Sequence, residues 1–123
     1  MDSKACCACE AGPKLIFSCS GAADVGAVAD QAARALTKEG VGKMFCLAGI
    51  GGRVSGIMKT TEAASDILAI DGCPLNCVKL CLEQAGFSNF KHLQLDELGL
   101  QKGQTDISNE SIEIVTVAAK ALL

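Results

Sequence analysis

Continuous apolar runs alternate along this chain with segments whose apolar positions recur at helical spacing. Runs at residues 15–20, 43–50 and 67–72 predict three short strands. Between the first two runs, a helix is predicted to start at Asp24 as its N-cap and to end at Gly40. Its apolar stripe consists of Val25, Val28, Ala29, Ala32, Ala33 and Leu36. The pattern therefore begins as strand, helix, strand.

The second half of the chain continues the alternation. Residues 51–66 form a predicted glycine-rich loop with one short helix, and a second long helix is predicted over residues 74–86, with Pro74 in its first turn. A weak two-residue alternation over residues 90–98 suits an edge strand. Ser108, followed by Ser111 and flanked by acidic residues, predicts the cap of a final helix.

Strands and helices in alternation predict an α/β fold of three layers. We expect a mostly parallel, Rossmann-like sheet of about four strands with flanking helices. Residues 13–123 are predicted to form this single domain, and residues 1–12 to form a tail that contains cysteines. In sheets of this kind, ligand-binding and catalytic residues lie at the carboxyl ends of the strands.

Composition narrows the class of protein. The 123 residues are half hydrophobic, with four Phe, no Trp and no Tyr, and the net charge is −3. Without a basic stripe or stacking aromatics, we expect no nucleic-acid partner. No apolar run reaches the ~18 residues of a membrane span, so no membrane partner is expected. The N-terminus lacks the pattern of a signal peptide, and we expect a cytoplasmic protein.

Eight cysteines are unusual for a chain from a reducing compartment, and at this density they indicate metal binding or thiol chemistry. Cys73 and Cys77 lie one turn apart on the predicted helix. Cys19 ends the first predicted strand, and Cys46 lies in the second. Four thiolates would complete a tetrahedral zinc site. The spacing alone leaves open that Cys46 and Cys77 are core residues and that Cys73 is a helix cap.

Three motifs in order, "CSGAADVGAVADQAARAL", "KMFCLAGIGG" and "IDGCPLNC", resemble the DGC-domain family, small prokaryotic proteins named for an Asp-Gly-Cys motif. The resemblance extends from Lys14 to the C-terminus. It implies a metal-binding protein that holds Zn²⁺ through Cys19, Cys46, Cys73 and Cys77, with a role in metal sensing, storage or delivery.

An alternative is a thiol-dependent enzyme for redox, sulfur or metalloid chemistry, in which Cys73 is the nucleophile at the start of a helix. The sequence offers no other recognisable catalytic machinery, such as a Ser-His-Asp set. Cys81 is predicted to fill the core, His92 and Arg53 to lie at the surface, and Asp71 to have a structural role. The remaining cysteines form a cluster in the tail: Cys6, Cys7 and Cys9.

Overall fold

A computed structural model describes residues 12–123, and in this part of the chain four parallel strands form one sheet. The order in the sheet is β2-β1-β3-β4, which leaves the short β2 and β4 at the edges. In the central pair, Ile16 of β1 lies opposite Leu68 of β3. The strands are β1 (Lys14–Ser18), β2 (Lys43–Met44), β3 (Asp66–Asp71) and β4 (Lys91–Gln94).

Helices cover both faces of the sheet and complete the predicted three-layer α/β architecture. One face carries α1 and α5, and the other carries α2, α3 and α4. A short 3₁₀ helix follows β4 at Leu95–Leu98. The α-helices are α1 (Asp24–Lys38), α2 (Leu47–Gly51), α3 (Ser55–Glu62), α4 (Cys77–Gln84) and α5 (Asn109–Leu122).

The two central strands are buried on both sides, which explains their continuous apolar runs. Ile16 and Ile70 point into the core under α1 and α5. Leu15, Phe17 and Ala69 point into the core on the opposite face. All five side chains are inaccessible to solvent.

The helix ends follow the predicted signals in most places. Gly40 adopts the left-handed conformation (φ 79°) just beyond α1, which glycine tolerates without strain. Ser108 caps α5 through a reciprocal pair of hydrogen bonds with Ser111. Asp24 differs from the prediction, because Ala23 is the N-cap of α1 and Asp24 is its first residue.

The second predicted strand, residues 43–50, is mostly not a strand. Only Lys43–Met44 pairs with β1, and α2 begins at Leu47. The apolar run marks burial rather than conformation, since Phe45 packs edge-on against Phe17 and Ile50 lies in the core. Cys46 is therefore the N-cap of α2 and not a strand residue.

The helix predicted from Pro74 begins three residues later, at Cys77. Asn76, immediately before it, is left-handed (φ 57°), and its backbone N–H donates to the carbonyl of Cys73. A left-handed residue cannot continue a helix backwards, so residues 73–76 form a turn. Cys73 and Cys77 are consequently not one turn apart on a common helix. The last predicted strand, residues 90–98, ends at Gln94.

Within residues 12–123, no helix combines the length and apolar character that crossing a membrane requires.

Candidate functional site

The carboxyl edge of the sheet carries the cysteines that sequence analysis singled out. Cys19 directly follows β1, Cys46 lies two residues beyond β2, and Cys73 lies two residues beyond β3. Cys77 opens α4. Cys46 and Cys77 are exposed, Cys19 and Cys73 are half-buried, and all four are free thiols.

The structure divides these four residues into two groups. Cys46 and Cys77 line a cleft of about 660 Å³, together with Cys81. Cys73 instead packs against the core under α1 and α5, and Cys19 contacts the cores on both faces of the sheet. The cleft therefore contains two of the four predicted ligands and one cysteine that was predicted to be core filler.

Sulfur is a suitable donor for zinc, but the donors are not assembled around one point. Among residues 12–123, no three His, Cys, Asp or Glu side chains lie close enough together to hold a metal ion as they stand. The tail cysteines Cys6, Cys7 and Cys9 lie outside the described residues. A four-thiolate site would require Cys19, Cys46, Cys73 and Cys77 to converge.

Cys46 is held in place by the short helix that it caps. Its Sγ accepts a hydrogen bond from the backbone N–H of Gly49 at 3.3 Å. Gly49 in turn packs tightly on α3, since a Cβ atom added there would lie 2.1 Å from Cδ1 of Ile57. Only glycine allows this approach, and the close packing fixes α2, and with it Cys46, at the rim of the cleft.

Cys77 is positioned by a buried carboxylate. Asp71, which is 1% exposed, accepts hydrogen bonds from the backbone N–H groups of Val78 (2.7 Å) and Lys79 (3.1 Å). It thus satisfies two of the N–H groups that a helix start leaves unpaired. The predicted structural role of Asp71 fits these contacts.

A second layer of polar contacts supports the turn before α4. His92 Nε2 lies 2.8 Å from Asp71 Oδ2, and Gln94 Nε2 donates to Asn76 Oδ1 at 2.7 Å. The surface position predicted for His92 is wrong, because its side chain is only 24% exposed and contacts a buried acid. Residues of β4 therefore hold both Asp71 and the left-handed Asn76.

Cys81 is the third cysteine that lines the cleft, and it is half-buried. Its Sγ lies 3.9 Å from the carbonyl oxygen of Leu47, and the side chain packs in the core below α2 and α4. Burial raises the pKa of the Cys81 thiol, against the weaker opposing effect of the Arg53 charge. Cys81 is therefore a neutral, packed thiol at neutral pH.

Arg53 ties together the two helices that carry Cys46 and Cys77. Its guanidinium donates to the carbonyls of Ile50 (2.7 Å) and Gly51 (3.2 Å) at the end of α2, and to that of Gln84 (2.9 Å) at the end of α4. A cation suits these carbonyl-rich helix ends. Arg53 is exposed, in agreement with its predicted solvated position, but nothing in the local sequence pattern indicates its contact with α4.

One part of the cleft lining, called here the polar wall, consists of Ser20, Asp30 and Arg34. Asp30 accepts from Ser20 Oγ at 2.8 Å through one oxygen and from Arg34 Nε at 2.7 Å through the other. Partial burial raises the pKa of Asp30, but the hydrogen bonds from Arg34 and Ser20 outweigh it and leave the pKa below its ordinary value. Sequence analysis missed this wall, because its residues follow the ordinary polar face of an amphipathic helix.

Comparison with known proteins places these features in a family. The "Anaerobic and virulence modulator AnvM" of Pseudomonas aeruginosa is 40% identical over 88 residues, which represent 72% of this chain and 67% of that protein. No solved structure matches the chain. The model of the DGC domain matches residues 15–119, which include the sheet except its first residue and every cysteine of the edge. This chain therefore belongs to the DGC-domain family.

Proposed function

We propose that this protein binds a thiophilic metal ion, with Zn²⁺ as the first candidate, through Cys19, Cys46, Cys73 and Cys77. The observation that supports the proposal is that all four free thiols lie at one edge of the sheet, and that none of them is fully buried. Thiolates offset the charge of a divalent ion, and four of them form a closed tetrahedral set. Such a set would serve metal sensing, storage or delivery rather than catalysis.

Binding of this kind requires movement. Because no three ligating side chains in the described part of the chain lie within reach of one ion, the turns that carry Cys19 and Cys73 must move toward the cleft that holds Cys46 and Cys77. The ion would then link loops that follow three different strands. Metal binding should accordingly stabilise the fold and release protons from the thiols.

The decisive experiment measures metal content after purification without added metal. We expect about one zinc per chain, the number that a single four-thiolate site holds. Cys73→Ser and Cys77→Ser should each lose most of it, whereas Cys81→Ala is the matched control and should keep it. Full zinc occupancy in the Cys73→Ser, Cys77→Ser double variant would falsify the assignment.

A second candidate function is thiol-dependent redox, sulfur or metalloid chemistry. The observation that favours it is the pair of exposed thiols, Cys46 and Cys77, in one cleft. Cys73 loses the helix start that would have activated it as a nucleophile, and Cys77 occupies that position instead. Counting reactive thiols before and after treatment with a chelator separates the two functions, because a metal-bound set becomes reactive only after chelation.

Both functions require reduced cysteines, so we propose that the protein works in the cytoplasm. The name of the Pseudomonas relative describes a modulator, and a metal- or thiol-dependent sensing role for this chain is in keeping with that description.

A further inference from the structure

The cleft beside α2 and α4 has two chemically different walls. Cys46 and Cys77 contribute exposed thiols to its lining, and Asp30 and Arg34 contribute charges from α1. Apolar side chains such as Phe45 also line the cleft. The volume of about 660 Å³ falls within the range of roughly 300–1,000 Å³ that small-molecule sites occupy.

The hydrogen bonds of the polar wall determine which ligand charge it prefers. Both oxygens of Asp30 already accept bonds, one from Ser20 and one from Arg34. Arg34 uses its Nε for this contact, and a guanidinium carries further N–H groups on its two terminal nitrogens. The Arg34 side chain is 69% exposed, so those groups are accessible to a ligand. The geometry favours a ligand with a carboxylate, which an arginine recognises through paired hydrogen bonds.

We propose that this cleft binds a small anionic disulfide, with its carboxylate on Arg34 and its sulfur atoms at Cys46 and Cys77, and exchanges with it. The thiolate of one cysteine attacks one sulfur of the disulfide. A protein–ligand S–S bond forms, the S–S bond of the ligand breaks, and the second half leaves as a thiolate that takes a proton from water. The sulfur of the cysteine is oxidised, and the sulfur of the departing half of the ligand is reduced.

This inference rests on the second candidate function, for which it names a substrate class, and not on the proposed metal site, although the two sites share Cys46 and Cys77. A bound ion would protect these thiols from exchange. The reaction is therefore measured on the full chain after reduction and chelation, so that the outcome is independent of whether zinc binds. A failure of the zinc measurement leaves the exchange prediction standing, and the reverse also holds.

The probes are oxidised glutathione, which is anionic, and cystamine, which is cationic. Adduct formation is followed by intact mass, and the modified cysteine is found by peptide mapping. Each rate is divided by the rate on the same protein unfolded in urea, which removes the intrinsic reactivity of the probe. In the wild type we expect the corrected rate to be higher for oxidised glutathione, with adducts on Cys46 or Cys77.

The variants test the recognition by charge. Arg34→Gln should slow the reaction with oxidised glutathione by about five- to tenfold, the loss of one charge-assisted contact, and should leave that with cystamine unchanged or faster. Lys38→Gln is the control, because it removes the same charge one turn further along α1 and outside the cleft. Arg34→Lys should recover part of the rate.

Three outcomes would overturn the proposal. The first is a corrected wild-type rate that is equal for the two probes or higher for cystamine. The second is an adduct that maps to Cys19, Cys73 or the tail rather than to the cleft. The third is an equal slowing of both probes in Arg34→Gln, which would mean that Arg34 supports the fold and does not recognise the ligand.

Discussion

The two helical layers that cover the sheet are built differently. The layer of α1 and α5 consists of two long helices of 15 and 14 residues, with small buried residues such as Ala29 and Ala32 at their contacts with the core. The opposite layer consists of helices of five, eight and eight residues, and both left-handed non-glycine residues in the described part of the chain, Arg53 and Asn76, flank its helices.

The two layers differ in how often their helices are interrupted. The long-helix layer fills one face with apolar packing, whereas the short-helix layer holds three of the five described cysteines, Cys46, Cys77 and Cys81, at its helix ends and in its cleft. Short helices have more ends per residue, and each end supplies unpaired backbone groups and an exposed turn. The long-helix layer thus supplies most of the regular packing, and the short-helix layer supplies most of the described cysteines.

The largest effect should come from a core deletion in the long-helix layer. Leu36 is fully buried, and Leu36→Ala should lower the free energy of unfolding by about 3 kcal/mol, from lost burial and the resulting cavity. The labelling rates of Cys46 and Cys77 with a thiol reagent should stay as in the wild type. Urea denaturation and labelling on native protein provide the two measurements. Faster labelling in this variant would show that the layers are not independent.

A smaller loss of stability, but a larger effect on the cleft, is expected from Asp71→Ala. The change leaves the N–H groups of Val78 and Lys79 without their acceptor, which should cost about 2 kcal/mol. Because these groups begin α4, we also expect Cys77 to label faster. Leu36→Ala is the reference for a loss of stability alone. An unchanged labelling rate of Cys77 in Asp71→Ala would contradict the positioning role of Asp71.

Within the short-helix layer, Cys81 and Cys77 should behave differently. Cys81→Ala removes one partly buried sulfur and should cost about 1 kcal/mol, with metal retained. Cys77→Ala should lose the metal and the folding free energy that the ion contributes. Thermal melting with and without a strong chelator measures both effects. A chelator-sensitive Cys77→Ala together with an insensitive Cys81→Ala would assign the ligand role to Cys81.

The smallest effect depends on pH and concerns the contact between Asp24, at the start of α1, and the loop that precedes α5. The backbone N–H groups of Gly103 and Thr105 donate to the Asp24 carboxylate and hold its pKa below the ordinary value of 3.8. A depressed folded-state pKa contributes stability above pH 3.8 that is lost as the pH falls through the folded pKa.

Asp24→Asn should therefore melt slightly below the wild type at about pH 6, and the difference should shrink as the pH is lowered below 3.8. Thermal melting across this range checks the prediction. Asp106→Asn, at an exposed acid of the same loop, is the control. A difference that grows on acidification would mean that the carboxylate does not accept these bonds.

The sequence pattern predicted the fold well where one signal determined the outcome. The α/β class and the helix ends at Gly40 and Ser108 are confirmed, and the strands predicted at residues 15–20 and 67–72 are present at 14–18 and 66–71. At residues 45–50 the apolar pattern predicts burial but not conformation, because it suits either a strand or a short helix against the core. The edge position of β2 and the contact of Gly49 with Ile57 decide in favour of the helix, and both are tertiary facts.

The sequence predicted which residue types form the candidate site better than it predicted which of those residues lie together. Position at or just past a predicted strand end identified the edge for Cys19 and Cys73, whereas Cys46 was predicted within a strand and lies at the edge because β2 ends at Met44. The grouping depends on the left-handed Asn76, which turns the chain between Cys73 and Cys77 and is held by Gln94 from a strand 18 residues away. No local spacing rule contains that contact. The zinc ligand set remains a prediction.

Arg53 gives the cleft a mechanical property. It fastens the last carbonyls of α2 to the last carbonyl of α4, while Cys46 and Cys77 sit at the opposite ends of the same two helices. The same two helices are also held elsewhere, α2 through the packing of Gly49 on Ile57 and the start of α4 through Asp71. The cleft is therefore braced at both ends, and the spacing of its two thiols is set by the fold rather than by a ligand.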